Sequence, residues 1–289
     1  MKKANPKSIR AILKNISDRE NLGFQQLVTR YLHERLLYRI SQSEYKTSFI
    51  LKGGNLIYAI EGLHVRPTVD IDMLAKGINN DKENIKSVFE KICAISDEND
   101  CVIFNGKTIA VSDIAEEKKY SGVRLLIDTR FDTIRQTVQI DIGFGDVITP
   151  APVVISFPVL LNDLENPTLL AYSVETVVAE KFHAMITLGN SNSRMKDLFD
   201  TYILLKNKVI NTINLTDAIT ATFKARNTEF ENETVFFSES YYKNTNRNIM
   251  WKAFLRKMKI GEDMDFEEVV KTITTNLQPI YSKLLESEY

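Results

Sequence analysis

At 289 residues, 44% hydrophobic and 26% charged, the chain can form one large domain or two modest ones, and its composition excludes a disordered or fibrous protein. Lys+Arg 37 against Asp+Glu 38 leave a net charge of -1, so whole-chain electrostatics do not announce a nucleic-acid binder, although a local patch still can. Cys93 and Cys101, with His33, His64 and His183, give neither a disulfide scaffold nor a zinc spacing; the two cysteines read as small apolar fillers.

The opening Met1-Lys2-Lys3-Ala4-Asn5-Pro6 leads into a polar stretch, unlike a signal peptide. The region from Ser8 to Ile40 reads as helical, with apolar positions at Ile9, Ile12, Leu13 and Ile16, an interruption near Asn21-Leu22-Gly23, and a second set from Phe24 to Leu36. Ser48–Lys52 is a short apolar strand running into Gly53-Gly54, and Leu56–Ile60 a helix closed by Gly62. Thr68–Leu74 alternates with period two and predicts a strand; Lys82–Ile95 is an amphipathic helix. Strands follow at Val123–Phe131 and Thr137–Phe144, joined by a loop of hairpin length, with a further short strand expected at Phe157–Leu160. From Ser173 the pattern turns helical: Val174–Leu188, Arg194–Lys206, Thr216–Arg226, Arg247–Lys259 and Phe266–Leu285. Strands mixed with helices, then helices alone, predict an α/β (α+β) protein: a mixed-sheet core over residues 1–165 and a helical C-terminal domain over 166–289, divided where Asn166-Pro167 breaks the chain. The most apolar run, Ala151–Leu161, is short and holds two prolines, so no membrane span is expected and the default compartment is the cytoplasm.

Asp70 and Asp72 stand two apart in a strand, so both carboxylates leave one face with Cα atoms about 6.6–7 Å apart. Val69, Ile71 and Met73 should point the other way. Asp141, in Gln139-Ile140-Asp141-Ile142, repeats the arrangement. Three carboxylates offered from neighbouring strands would make a hard-oxygen pocket for Mg²⁺, and two metals about 3.5–4 Å apart could clamp an in-line phosphoryl displacement. The bland alternative is an edge strand whose aspartates face water. Gly53-Gly54-Asn55 follows a strand and opens a helix, which suits close approach of a phosphate; a tight turn without a ligand explains the glycines equally. No Gly-Lys-Ser/Thr follows, so this is not a P-loop.

Taken together, Gly53-Gly54-Asn55 and then Arg66-Pro67-Thr68-Val69-Asp70-Ile71-Asp72 resemble the first motif of the nucleotidyltransferase superfamily, and more narrowly that of the AbiEii-type toxins of bacterial toxin–antitoxin and phage-defence pairs. Three further stretches resemble the same family in the same order: Ile140–Asp146, Glu175–Lys181 with its Glu-Lys, and Arg194-Met195-Lys196-Asp197-Leu198-Phe199-Asp200. The family usually has Thr or Ser where this chain has Asn55, and its commonest glycine-to-aspartate spacer is shorter. The resemblance implies a nucleotidyltransferase-like mixed sheet flanked by helices and a Mg²⁺-dependent transfer of NMP from an NTP to an acceptor hydroxyl, the tRNA 3′ end or another RNA. It further implies growth inhibition held in check by a cognate antitoxin. A protein-modifying nucleotidyltransferase and a non-catalytic nucleotide-binding regulator are the alternatives.

The same resemblance implies that Asp70 and Asp72 ligate Mg²⁺, with Asp141 as third carboxylate or as base, and that Lys181 holds the triphosphate. Gly53, Gly54, Asn55, Arg66, Arg194 and Asp200 are the remaining candidates for nucleotide binding, and Asp197 joins the catalytic set. Each has a plainer reading: Lys181 can snorkel from a partly buried helix flank, and Asp197 and Asp200, i,i+3 neighbours, can orient Lys181 and Arg194 by charge-assisted hydrogen bonds or simply face solvent. His183 reads as a packing histidine. Residues 243–259 hold six basic residues and no acidic one, with Trp251 and Phe254 interleaved, which suits either an RNA backbone or an amphipathic helix with a solvated face.

Overall fold

The computed structural model describes residues 5–114, 122–260 and 263–287; residues 1–4 of the polar opening lie outside it. Two units make up the chain. The first takes the chain up to Gly62, Pro67–Asp146 and Val153–Ala171; the second takes Leu63–Arg66, Val147–Pro152 and the chain from Tyr172 onward.

The first unit begins with helices α1 (Pro6–Arg19), capped by the Asn5 side chain, and α2 (Phe24–Gln42). Strand β1 (Phe49–Lys52) runs into α3 (Gly53–Glu61); β2 (Asp70–Ala75) and α4 (Lys82–Ala94) follow, then β3 (Val102–Phe104), β4 (Ala110–Ile114), β5 (Gly122–Phe131), β6 (Ile134–Phe144), β7 (Val153–Ser156) and β8 (Thr168–Ala171). They form one mixed sheet in the order β3-β5-β6-β2-β1-β8-β7, with β4 also paired to β5. β2 runs parallel to β6 and antiparallel to β1, while β5 and β6 form a long antiparallel hairpin. The expected α/β class and its mixed sheet are what the chain adopts.

Alternation along the central strands sorts the two faces. Ile71, Met73, Leu125, Ile127, Ile140 and Ile142 are buried on one side, while Asp70, Asp72, Arg124, Gln139 and Asp141 lie half-buried on the other. Val69 departs from expectation: it is 75% exposed, because β2 begins its pairing only at Asp70. Helix α2 packs Tyr31 against Phe131 at 5.2 Å between ring centroids, and α4 brings Phe89 to Phe49 at the same distance.

One strand expectation needs correction, and the short strands β3 and β4 were not expected. Phe157–Leu160 is irregular; the strand lies just before it at β7, paired with β8 through Ser156↔Thr168. Phe157 N–H donates to Pro167 O and ends the ladder, and Pro158 has no N–H with which to continue it. The short β3 and β4 gave no alternating apolar signal; β4 buries none of its residues.

The second unit is helical: α5 (Val174–Leu188), α6 (Met195–Asn207), α7 (Thr212–Ala225), α8 (Glu239–Tyr242), α9 (Thr245–Met258) and α10 (Phe266–Ser287). Ser173 caps α5 by accepting from Thr176 N–H, and Asn211 caps α7, which therefore starts at Thr212 and not at Thr216. Phe182 of α5 packs against Phe223 of α7 and Tyr281 of α10. No helix among the described residues is long and apolar enough to cross a membrane.

Candidate active site

Register builds the acidic face. Asp72 of β2 lies directly opposite Asp141 of β6, and Asp70 opposite Gln139. Carboxylate oxygens of Asp70, Asp72 and Asp141 come within 4.8 Å of one another. Three hard oxygen donors so close, from two paired strands and all half-buried, fit a divalent cation in the chemistry of the donor set.

That pairing extends outward into a row across four strands. Lys52 of β1 is opposite Asp72, and Arg124 of β5 is opposite Asp141, so two cations flank the two anions on one face. Arg124 grips Asp141 with both arms: Nε donates to Oδ1 at 2.8 Å and Nη2 to Oδ2 at 2.6 Å. Gln139 Nε2 adds a third donor to Asp141 Oδ1 at 3.1 Å. The hydrogen bond to Asp141, with the charges of Asp70 and Asp72 behind it, holds the Arg124 guanidinium even more firmly protonated than usual. Lys52 Nζ donates to Asp146 Oδ2 at 2.8 Å, and Thr68 Oγ1 to Asp70 Oδ1 at 2.8 Å.

The glycine pair has a steric reason to be glycine. Gly53 has φ +65°, and a Cβ there would lie 1.9 Å from Asp72 Oδ2; a Cβ on Gly54 would lie 2.7 Å from Thr68 Oγ1. The backbone at the start of α3 thus runs against the side chains that carry the acidic face. Asn55 is 2% exposed and turned inward: its Nδ2 donates to Asp70 O at 2.8 Å, and its Oδ1 faces His33 Nδ1 at 3.3 Å. With the Asn55 amide oriented this way, His33 is the donor in that contact. Burial pushes the His33 imidazole down to about 4, so the ring is neutral.

Within the second unit, Arg66, Lys181, Asp197 and Asp200 come together. Arg66 is bidentate to Asp200, Nε to Oδ1 and Nη2 to Oδ2, both at 2.7 Å. Lys181 Nζ lies 2.7 Å from Asp197 Oδ1 and 2.9 Å from Asp200 Oδ2. Burial opposes the charge on Lys181, but Asp197 and Asp200 overcome it and hold the ammonium above its ordinary value. Burial likewise works against the Asp200 anion, yet Lys181 and Arg66 keep its carboxyl below the usual range. Arg194 is an outlier to this group, half-exposed with Nη1 3.9 Å from Asp197.

His183 is buried on α5: Arg226 Nη1 lies 3.2 Å from its Nδ1, and Nε2 2.8 Å from Thr228 Oγ1. The basic segment divides. Arg247 is buried, donates to Asn190 O and stacks on Tyr241, and Trp251 donates to Met264 O, whereas Lys252, Arg256, Lys257 and Lys259 are exposed. Sequence reading passed over Lys52, Thr68 and Arg124. The hairpin holds the missing signal for the last: with a two-residue turn at Asp132-Thr133, Arg124 and Asp141 are each seven residues from the closing pair Phe131↔Ile134.

Residues 35–272 match the model of the family described as Nucleotidyl transferase AbiEii toxin, Type IV TA system. The fold is similar to that of JHP933 from Helicobacter pylori, with a TM-score of 0.54 at 17% identity over 92% of this chain and 96% of that one. It is also similar to an H. pylori structure assigned provisionally as a nucleotidyltransferase, with a TM-score of 0.54 at 17% identity over 93% and 99%. No curated protein matches the sequence.

Proposed function

The chain belongs to the AbiEii nucleotidyl transferase toxin family of type IV toxin–antitoxin systems, and from that premise we propose that it transfers a nucleoside monophosphate from an NTP to a hydroxyl at the 3′ end of tRNA. Pyrophosphate is the leaving group. The observation that carries this reading is the meeting of Asp70, Asp72 and Asp141 on one face of the β2/β6 pair. These three residues would hold Mg²⁺, which when bound supplies Lewis-acid polarisation of the reacting phosphoryl group.

The chain's own residues do the rest. Gly53 lets the α3 start press against Asp72, and Asn55 and Thr68 fix Asp70 by its carbonyl and its carboxylate. Lys181, permanently charged between Asp197 and Asp200, is the lysine we assign to the triphosphate; a charge already held in place loses little orientational freedom when it meets an anion. Asp200 and Arg66 set the position of that ammonium and are positioning residues, with Asp197 beside them. The exposed Lys252, Arg256, Lys257 and Lys259 are assigned to the RNA backbone.

Incubation with each α-labelled NTP, Mg²⁺ and total RNA tests the reaction, with Asp72→Ala as control. Label in tRNA that periodate oxidation of the 3′ ends abolishes is the expected result. Label in a protein lysate instead would move the acceptor to a protein hydroxyl, and label only from γ-labelled nucleotide would make the enzyme a phosphotransferase. Induced expression should arrest growth with the wild-type chain and not with Asp72→Ala, and a cognate antitoxin should relieve the arrest. Arrest by both would favour a non-catalytic regulator.

A further inference from the structure

Two arginine–aspartate pairs in this protein share one bidentate geometry and differ in solvent access. Arg66–Asp200 is dry, with side chains 9% and 0% exposed. Arg124–Asp141 is wet, at 40% and 15%. Separating a dry pair strands a buried charge, whereas a half-exposed pair can part because water and small ions take over each half. Asp141 is also the carboxylate on which the cluster depends for its third donor, and three of its hydrogen bonds are already taken, two of them by Arg124. Its oxygens therefore bond a guanidinium and are the same ones a divalent cation would need.

We propose that Arg124 is the resident counter-cation of the acidic face: it holds Asp141 while the site is empty, yields that carboxylate to the divalent ion, and turns its freed guanidinium onto the phosphates of the nucleotide. The inference rests on the reading of Asp70, Asp72 and Asp141 as metal ligands. Its physical logic is charge conservation on one face. Without a cation the paired aspartates opposite one another on β2 and β6 repel, and Arg124 offsets that repulsion from the next strand. When a metal takes over the offset, the fork is released beside a site receiving a triphosphate, the anion whose oxygens a guanidinium matches bidentately.

Such an exchange has a signature that a purely structural cross-strand pair lacks: loss of Arg124 should move metal affinity and nucleotide affinity in opposite directions. Mn²⁺ binding, read from the loss of the free-ion signal in electron paramagnetic resonance, should tighten by about tenfold in Arg124→Gln, the effect of removing a charge a few ångströms away. Binding of an α,β-methylene NTP at saturating Mn²⁺ should weaken by about tenfold to a hundredfold, the loss of charged hydrogen bonds. Arg124→Lys keeps the charge but not the fork; its Mn²⁺ affinity should stay near that of the wild type while its nucleotide affinity falls toward that of Arg124→Gln. Circular dichroism melts confirm that the variants fold.

Shifts of both affinities in the same direction, no shift in either, or a lysine variant indistinguishable from wild type would overturn the exchange. In those cases a wild-type Mn²⁺ affinity abolished by Asp72→Ala leaves the metal reading standing. Absence of Mn²⁺ binding in the wild type itself would remove both.

Discussion

Alanine at Gly53 should damage the protein in two separable ways. The residue sits at φ +65°, where a Cβ costs roughly 1–2 kcal/mol of backbone strain. The same Cβ would stand 1.9 Å from Asp72 Oδ2, 2.6 Å from its Cγ and 2.7 Å from its Cβ, so the carboxylate must move. Forced repacking of that kind adds about 1–3 kcal/mol. Gly77 supplies the internal control, with φ +71° and nothing within 4 Å of an added Cβ. Gly77→Ala should therefore lose only the strain, and Gly53→Ala roughly 2–5 kcal/mol in all. At roughly 2–4 °C per kcal/mol for a chain of this size, thermal melts resolve the difference. A Mn²⁺ titration of the same variants adds the functional half, since displacing Asp72 should weaken binding in Gly53→Ala and leave Gly77→Ala as wild type. Equal melting temperatures for the two variants, with equal Mn²⁺ affinity, would refute the claim that this glycine exists to make room for the aspartate.

Arg66→Ala should cost about 3–5 kcal/mol in denaturant unfolding, because it leaves Asp200 buried with half its partners, and Arg66→Lys, which keeps the charge but not the fork, should recover part of that loss. His33 binds a proton at about 6.5 when unfolded and only near 4 when folded, so its contribution is intact above pH 6.5 and is lost as pH falls toward 4; the wild type should lose about 3 kcal/mol over that window relative to His33→Gln, measured as the difference between their pH–stability profiles. Glu34 carries the opposite sign. Burial pushes its carboxyl up to about 8 from an ordinary 4.5, so its stability is full below pH 4.5 and is lost as pH rises through 8; the alkaline decline of the wild type should flatten in Glu34→Gln, and an unchanged decline would assign it elsewhere.

Period-two and period-3.6 patterns carried most of the fold, because long elements with one buried face advertise themselves: β5, β6, α4 and α5 were each legible. What escaped was short or polar. Helix α2 was legible from Leu27, Val28, Tyr31, Leu32 and Leu36, all buried, but nothing in that stripe told that Arg30, His33, Glu34, Arg35 and Arg39 are buried with it. In the site, spacing alone placed Asp70 and Asp72 on one face, but their meeting with Asp141 depended on β2 lying beside β6, a long-range parallel pairing that no local pattern encodes. Arg124 was hidden for a smaller reason. The second strand of the hairpin was read as starting at Thr137, three residues past its true start at Ile134, and register is what converts a strand sequence into cross-strand partners.

The charged interior of α2 answers a question that the acidic face poses. Asp70 and Asp72 must be held still against their mutual repulsion, and apolar packing of Ile71 and Met73 fixes the strand's depth more than its position along its own axis. A hydrogen-bonded chain supplies that constraint: His33 meets Asn55, and Asn55 donates to the Asp70 carbonyl. Around it three of the buried charges of α2 find different partners: Arg39 has Asp100 Oδ2 at 2.6 Å, Arg30 the Tyr58 ring at 3.9 Å, and Glu34 the Leu160 N–H together with its shift toward the protonated form. Apolar residues in place of these charges would have packed at least as well, since buried charges seldom add net stability. What the polar helix provides is directionality, and the histidine must remain neutral for the chain to hold, because a protonated ring in that dry setting would have to seek water. The acid limb predicted for His33 is therefore also a prediction about the site: as the ring takes up its proton near pH 4, metal affinity should fall together with stability, which Mn²⁺ titrations at a series of pH values would read.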